Sequence, residues 1–227
     1  MLKILKIKED DYRKIFILSD IHGSGDLLEG IIKKIEYNNQ DLFIFLGDSW
    51  DRGNQPKKVY DILMQLKKEA NLIHLKGNHE KMLEDYYIFG EMFPYLIKGN
   101  GASPTIEMLK ENDVLLDEIL DFIYQMPYIV ESESAIFVHA GLDLTRDLES
   151  QDEEYVVWTK DKFWLRNSLE KKTIFYGHVI QEYGVIKKHE NFNAIGMDCG
   201  SYKNKRIGCY ELKTKNIIYF SEDDYGK

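Results

Sequence analysis

Apolar residues along the chain fall into short runs separated by amphipathic stretches. Residues 14–19 (KIFILS) read as a buried strand. Leu27, Leu28, Ile31, Ile32 and Ile35 then recur at helical spacing and predict a helix over about 25–38. A second strand covers about 42–46. Pro56 suits the first turn of a further helix, where its missing N–H costs nothing. Val59, Ile62, Leu63 and Leu66 form that helix's apolar face, and a third strand spans 71–75. This alternation implies parallel βαβ units with helices packed outside. Residues about 80–126 read as mostly helical, broken at Gly99-Asn100-Gly101 and Pro104. Strands then follow at about 128–138, 173–176, 184–188, 193–197, 206–212 and 216–220, interrupted by one helix near 160–170. These later strands are expected to pair mostly antiparallel. The expected fold class is α/β, with two packed mixed β-sheets flanked by helices, as one domain over 1–227.

Composition narrows the function. The 227 residues are 44% hydrophobic, enough to bury a substantial core. A net charge of -9 argues against general nucleic-acid or membrane-surface binding, both of which need a basic field. The two cysteines, Cys199 and Cys209, form no CxxC pair and fit a reducing compartment. No apolar stretch near the start resembles a signal peptide, and none has the roughly 20 residues of a membrane span. A cytoplasmic protein is expected.

The candidate chemistry is positional. Strand KIFILS ends in Asp20-Ile21-His22-Gly23, and FIFL in Gly47-Asp48, followed by Asp51-Arg52-Gly53. NLIHL ends in Gly77-Asn78-His79-Glu80, AIFV in His139-Ala140-Gly141, and TIFY in Gly177-His178. In α/β folds the C-terminal strand ends form the ligand crevice. Four of the six histidines lie at these ends, which makes independent accident improbable. Asp, His and Asn without thiolates suit Mn, Fe or Zn rather than a soft metal. Two ions about 4 Å apart can clamp a phosphoryl group and activate a water.

In this order DIHG, GDSWDRG, GNHE, HAG and GH resemble the phosphoprotein phosphatase branch of the calcineurin-like metallophosphoesterases, bacterial members especially. NGASPTIEML, FIYQMPY and AIGMDCGS extend the likeness across nearly the whole chain. The resemblance implies an αββα sandwich and two divalent ions, Mn²⁺ first, with Fe, Zn or Ni as alternatives. It implies Asp20, His22 and Asp48 at one ion, with Asp48 bridging to a second held by Asn78, His139 and His178. It further implies His79 as general acid, Asp51 as its orienting partner and Arg52 on the phosphate.

Two stretches depart from the family. Relatives carry Trp-x-Arg where this chain has Trp158-Thr159-Lys160, so Lys160 takes the place of a second phosphate ligand, with Arg166 as its rival. Val179-Ile180-Gln181 follows the last GH in place of the usual Thr. His74 is expected to be packed, His189 solvated, and Trp158 with Trp164 a helix-packing pair. Cys199, with no partner cation in the sequence, is expected to be unreactive.

The substrate implied is a phosphoprotein or a small phosphorylated molecule. The leading activity is a phosphoserine/phosphothreonine phosphatase. The alternative is a dinucleoside polyphosphate hydrolase, and the third reading is a metal-binding interaction domain without catalysis.

Overall fold

The computed structural model describes residues 2–88, 99–111, 113–166, 171–189 and 191–225; for Asp113, Val114 and Arg166 it describes the backbone only. Its first half follows the periodicity. Strand β1 (Ile4–Lys6) precedes β2 (Ile15–Leu18), α1 (Gly25–Lys33), β3 (Leu42–Phe45), α2 (Pro56–Glu69) and β4 (Asn71–His74). Helices α3 (Asn78–Ile88), α4 (Ser103–Lys110) and α5 (Asp113–Gln125) come next. The second half holds β5 (Ile129–Glu131), β6 (Ala135–Val138), α6 (Glu153–Trp158), β7 (Thr173–Tyr176), β8 (Lys187–His189) and β9 (Ala194–Gly196). It ends with α7 (Ser201–Asn204), β10 (Arg206–Glu211) and β11 (Ile217–Ser221).

Two mixed sheets result, in the orders β1-β5-β6-β7-β9-β8 and β11-β10-β2-β3-β4. Side chains alternate across a strand, so each sheet sends neighbouring residues to opposite layers. Ile15, Ile17, Leu42 and Ile44 meet Phe137, Phe175 and Ile195 between the sheets. Phe16, Leu18, Phe43 and Phe45 face the other way, beneath Leu28, Ile31, Val59, Leu63, Ile106 and Ile119 of the helices. Ile136, Val138, Ile174 and Tyr176 form a third cluster with Val156, Val157 and Phe163 on the far side. The helix–sheet–sheet–helix layering agrees with the expected class.

Several expectations are corrected. The later strands pair mostly antiparallel, as expected, in β5·β6, β8·β9, β10·β11 and β10·β2, but β6·β7 and β7·β9 are parallel, as is β5 with β1. The single strand expected at 128–138 is two strands, separated by a turn at 132–134. The helix expected near 160–170 is α6, ending at Trp158, then a 3₁₀ turn Phe163–Arg166; residues 167–170 lie outside the described ones. So does 89–98, within the helical stretch expected at 80–126. β1 carried too short an apolar pattern to be expected.

His189 is not solvated. Its ring stacks on Trp164 at 4.4 Å, and its Nε2 lies 2.7 Å from the Tyr176 hydroxyl. Trp164 therefore packs on this strand edge and is not paired with Trp158, which stands near His178 instead. His74 is packed as expected, parallel to the rings of Phe45 and Trp50.

Candidate metal centre

Strands from both sheets deliver side chains to one buried centre. Asp20, His22 and Asp48 follow β2 and β3, Asn78 and His79 open α3, and His139 and His178 follow β6 and β7. Asp20, His22, Asp48, Arg52 and His178 all have positive φ, between 47° and 78°. Non-glycine residues in this region cost about 1–3 kcal/mol each and persist where the surroundings hold them. Close approach of the two strand ends supplies one such constraint. A Cβ on Gly77 would fall 2.3 Å from Asp48 Oδ1.

Glu80 supplies another, and the sequence reading gave it no role. Fully buried, its carboxylate accepts from the backbone N–H of Asp48 and Ser49 at 2.8 Å and of Gly77 at 3.0 Å. Burial alone would raise its pKa, but the charge of nearby His74 and those backbone donors outweigh it and hold it down. Ser201 fixes the first loop similarly, its Oγ donating to the carbonyls of Asp20 at 2.5 Å and Ile21 at 2.8 Å. The GNHE motif could have signalled Glu80. Nothing local signalled Ser201.

Asp48 lies at the middle. His22 Nε2 is 3.6 Å and His139 Nε2 3.5 Å from its two carboxylate oxygens. Two groups of potential ligand atoms lie within 4.8 Å of one another, His22-Asp48-His79 and Asp48-His139-His178. Asp48 is common to both. Asp20 belongs to neither; its carboxylate accepts from His178 N at 3.1 Å and from Ser19 Oγ.

The chemistry of this donor set fits divalent cations. His139 Nδ1–H donates to the Leu46 carbonyl at 2.8 Å, so its Nε2 presents a lone pair. That lone pair faces Asn78 Oδ1 at 2.9 Å and the Asp48 carboxylate. His22 Nδ1 and His178 Nε2 are buried without hydrogen-bond partners. Burial pushes Asp20 up and Asp48 well up, the latter reinforced by Glu80 and Asp20. Burial also pushes His22 well down, and His178 down to about 2. Electron-pair donors with too little positive charge among them are what a cation would satisfy.

A second group lies beside the first. His79 Nδ1–H donates to Asp51 Oδ2 at 2.7 Å, and Asp51 Oδ1 accepts from Thr105 Oγ1 at 2.5 Å. Burial lowers the pKa of His79, but the charges of Asp48 and Asp51 and the Asp51 hydrogen bond outweigh it and raise it. Arg52 donates to His22 Nε2 at 2.9 Å and His79 Nε2 at 3.0 Å. Lys160 is exposed after α6, close enough for its charge to help lower His178. The side chain of Arg166 lies outside the described residues. Cys199 is buried, and burial raises its thiol to about 12, as expected for an unreactive group.

Fold and site together define a metal-dependent phosphoesterase. The family model for calcineurin-like phosphoesterase matches residues 13–215, and the chain belongs to that family, whose members use a dinuclear metal centre. A Salmonella typhimurium protein named serine/threonine-protein phosphatase 2 is 27% identical, over 94% of this chain and 99% of its own length. An asymmetrical bis(5'-nucleosyl)-tetraphosphatase of Oceanobacillus iheyensis is 25% identical, over 77% of this chain and 68% of its own. The crystal structure of a cold-active protein-tyrosine phosphatase from a psychrophilic Shewanella superposes with a TM-score of 0.67 at 17% identity. It covers 98% of this chain and 81% of that one, a likeness of fold. No helix among the described residues is long and apolar enough to cross a membrane.

Two outcomes follow. Glu80→Ala leaves three buried N–H groups without their acceptor and lowers unfolding stability by about 3 kcal/mol or more, measured in urea. Metal binding should depend on pH. Asp20 and Asp48 hold protons to higher pH than free carboxylates, whereas His22 and His178 are already neutral. Affinity should therefore fall as pH drops through the raised carboxylate values, with protons released on binding. Calorimetry in buffers of different ionisation enthalpy reads that release, which Asp48→Asn should reduce.

Proposed function

We propose that the protein is a two-metal phosphomonoesterase acting on phosphoserine and phosphothreonine in proteins. The observation that carries this reading is the convergence of two ligand groups on Asp48, with His79 and Arg52 beside them. The near full-length similarity to a serine/threonine phosphatase supports the substrate class. Similarity to a bis(5'-nucleosyl)-tetraphosphatase favours a second reading, hydrolysis of dinucleoside polyphosphates. We assign the whole chain to one catalytic domain working in the cytoplasm, with Mn²⁺ as the preferred ion.

Asp20, His22 and Asp48 would hold one ion, and Asp48, Asn78, His139 and His178 the other. In this assignment Asp20 replaces His79 in the first group, because His79 is already engaged by Asp51 and Arg52. Held there, the ions would supply Lewis acidity to the phosphoryl oxygens and to an attacking water. Arg52 turns its planar donor fork to the phosphate oxygens. The amino end of α3 adds a favourable dipole for the same anion. Water oxygen bonds to phosphorus as the ester P–O bond breaks. With Arg52 turned to the phosphate, His79 Nε2 is free to carry a proton, and His79, held by Asp51, gives that proton to the leaving oxygen. The water's proton passes to solvent or product phosphate. Lys160 would neutralise the phosphate from the His178 side.

The test is turnover of p-nitrophenyl phosphate, a phosphoserine peptide and diadenosine tetraphosphate by Mn²⁺-loaded protein. Peptide turnover supports the first reading, and dinucleotide turnover alone replaces it with the second. His79→Asn should keep both ions and slow hydrolysis about 10²–10⁴-fold. The loss should be smaller for p-nitrophenyl than for phenyl phosphate, because a better leaving group needs less protonation; equal losses contradict the acid role. Lys160→Ala should raise KM and lower kcat, while Lys160→Arg retains activity. Loss in Arg166→Ala with none in Lys160→Ala would move the role to Arg166.

A further inference from the structure

Arg52 also lines a surface cleft of about 400 Å³. Tyr202 of α7 stands between this cleft and the metal centre. Its ring lies 5.2 Å from the Arg52 guanidinium and edge-on to His22 at 5.6 Å. Beyond it the cleft is lined by Asn54, Gln55, Lys205, Glu222 and the half-exposed ring of Tyr225. The cleft is thus continuous with Arg52, the proposed phosphate ligand, and close to His79, where the leaving oxygen would depart.

We propose that this cleft is the leaving-group subsite, that it takes the peptide flanking the phosphorylated residue, and that Tyr202 determines this specificity. The proposal rests on the phosphoesterase reading above. Charge decides the class of occupant. The cleft's lining holds two cations, Arg52 and Lys205, and two carboxylates, Asp26 and Glu222. Arg52 is committed to the scissile phosphate. A nucleotide leaving group would carry several negative charges into a site whose one remaining cation, Lys205, is offset by the carboxylate of Glu222. Asp26 is already neutralised by Lys58 at 2.6 Å, but Glu222 forms no ion pair among the described residues. A peptide brings no such excess charge. It offers backbone N–H and C=O groups to the amides of Asn54 and Gln55, and side chains to the two tyrosine rings. Tyrosine suits such a wall, since it presents a large ring at small entropic cost.

The same assignment gives Tyr202 a second consequence. A guanidinium over an aromatic face is held by the ring's quadrupole, so Tyr202 also orients Arg52. Phenylalanine would keep that face, and alanine would remove it.

The experiment compares kcat/KM of the Mn²⁺-loaded enzyme for three probes: a phosphoserine peptide with uncharged flanks, p-nitrophenyl phosphate, and diadenosine tetraphosphate. Tyr202→Ala should lower the ratio of peptide to p-nitrophenyl phosphate about tenfold, mostly through KM, with both ions retained. Tyr202→Phe should restore most of that ratio. Glu222→Lys should raise the ratio of dinucleotide to peptide. Unchanged ratios in all three variants would overturn the subsite. A selective loss on the dinucleotide in Tyr202→Ala would overturn the peptide assignment. If the unmodified enzyme turns over no probe, the phosphoesterase reading itself fails, an outcome separate from either. Thermal melts of each variant identify a fold defect, and Tyr202→Phe with Glu222→Lys carries the comparison if Tyr202→Ala does not fold.

Discussion

The site depends on one buried carboxylate that need not touch a metal. Glu80 gathers the N–H groups of Asp48, Ser49 and Gly77. These belong to loops after two neighbouring parallel strands, β3 and β4, so a single side chain sets their separation. Asp48 is thereby held at a φ of 58°, turned inward between His22 and His139. Such a conformation is unfavourable locally and survives because the packing over-determines it. Ser201 does the equivalent for the Asp20-Ile21-His22 turn from a segment 180 residues away.

The electrostatics follow from this placement. Burying several carboxylates and imidazoles together penalises the charged form of each, which drives the acids up and the bases down. Divalent cations reverse that penalty by restoring ionised aspartates beside neutral histidines. His79 differs from its neighbours because Asp51 and Asp48 outweigh its burial and favour the protonated ring. Two neighbouring imidazoles are thus pushed in opposite directions, which suits the roles proposed for His22 as a ligand and His79 as an acid. This separation of roles is a general device for placing acid and base chemistry in one pocket.

Substrate selection lies outside this frame. The residues proposed as metal ligands follow strand ends, whose positions the two sheets determine. Lys160, Trp158 and Tyr202 come from loops and a short helix around them. Catalytic chemistry can stay fixed while those walls change, which fits relatives named for both protein and dinucleotide substrates.

The sequence by itself determined the first half of the fold and which residues meet at the strand ends. β2 and β3, buried on both faces, read as continuous apolar runs, and β4 at the sheet edge keeps a shorter one; each run ended in a polar ligand type, so these strands and their trailing residues were legible. The later sheet was less so. Short strands carry no sign of the partner they will choose, and β6, β7 and β9 pair parallel although they look like pieces of a meander. His189 looked solvated among charges because its stacking partner, Trp164, is brought to it only by folding. Only the tertiary structure decided the roles of Glu80, Ser201 and Tyr202. Their contacts cross 3 to 181 residues of sequence, and side-chain bonds to loop backbone leave no periodic trace in the chain.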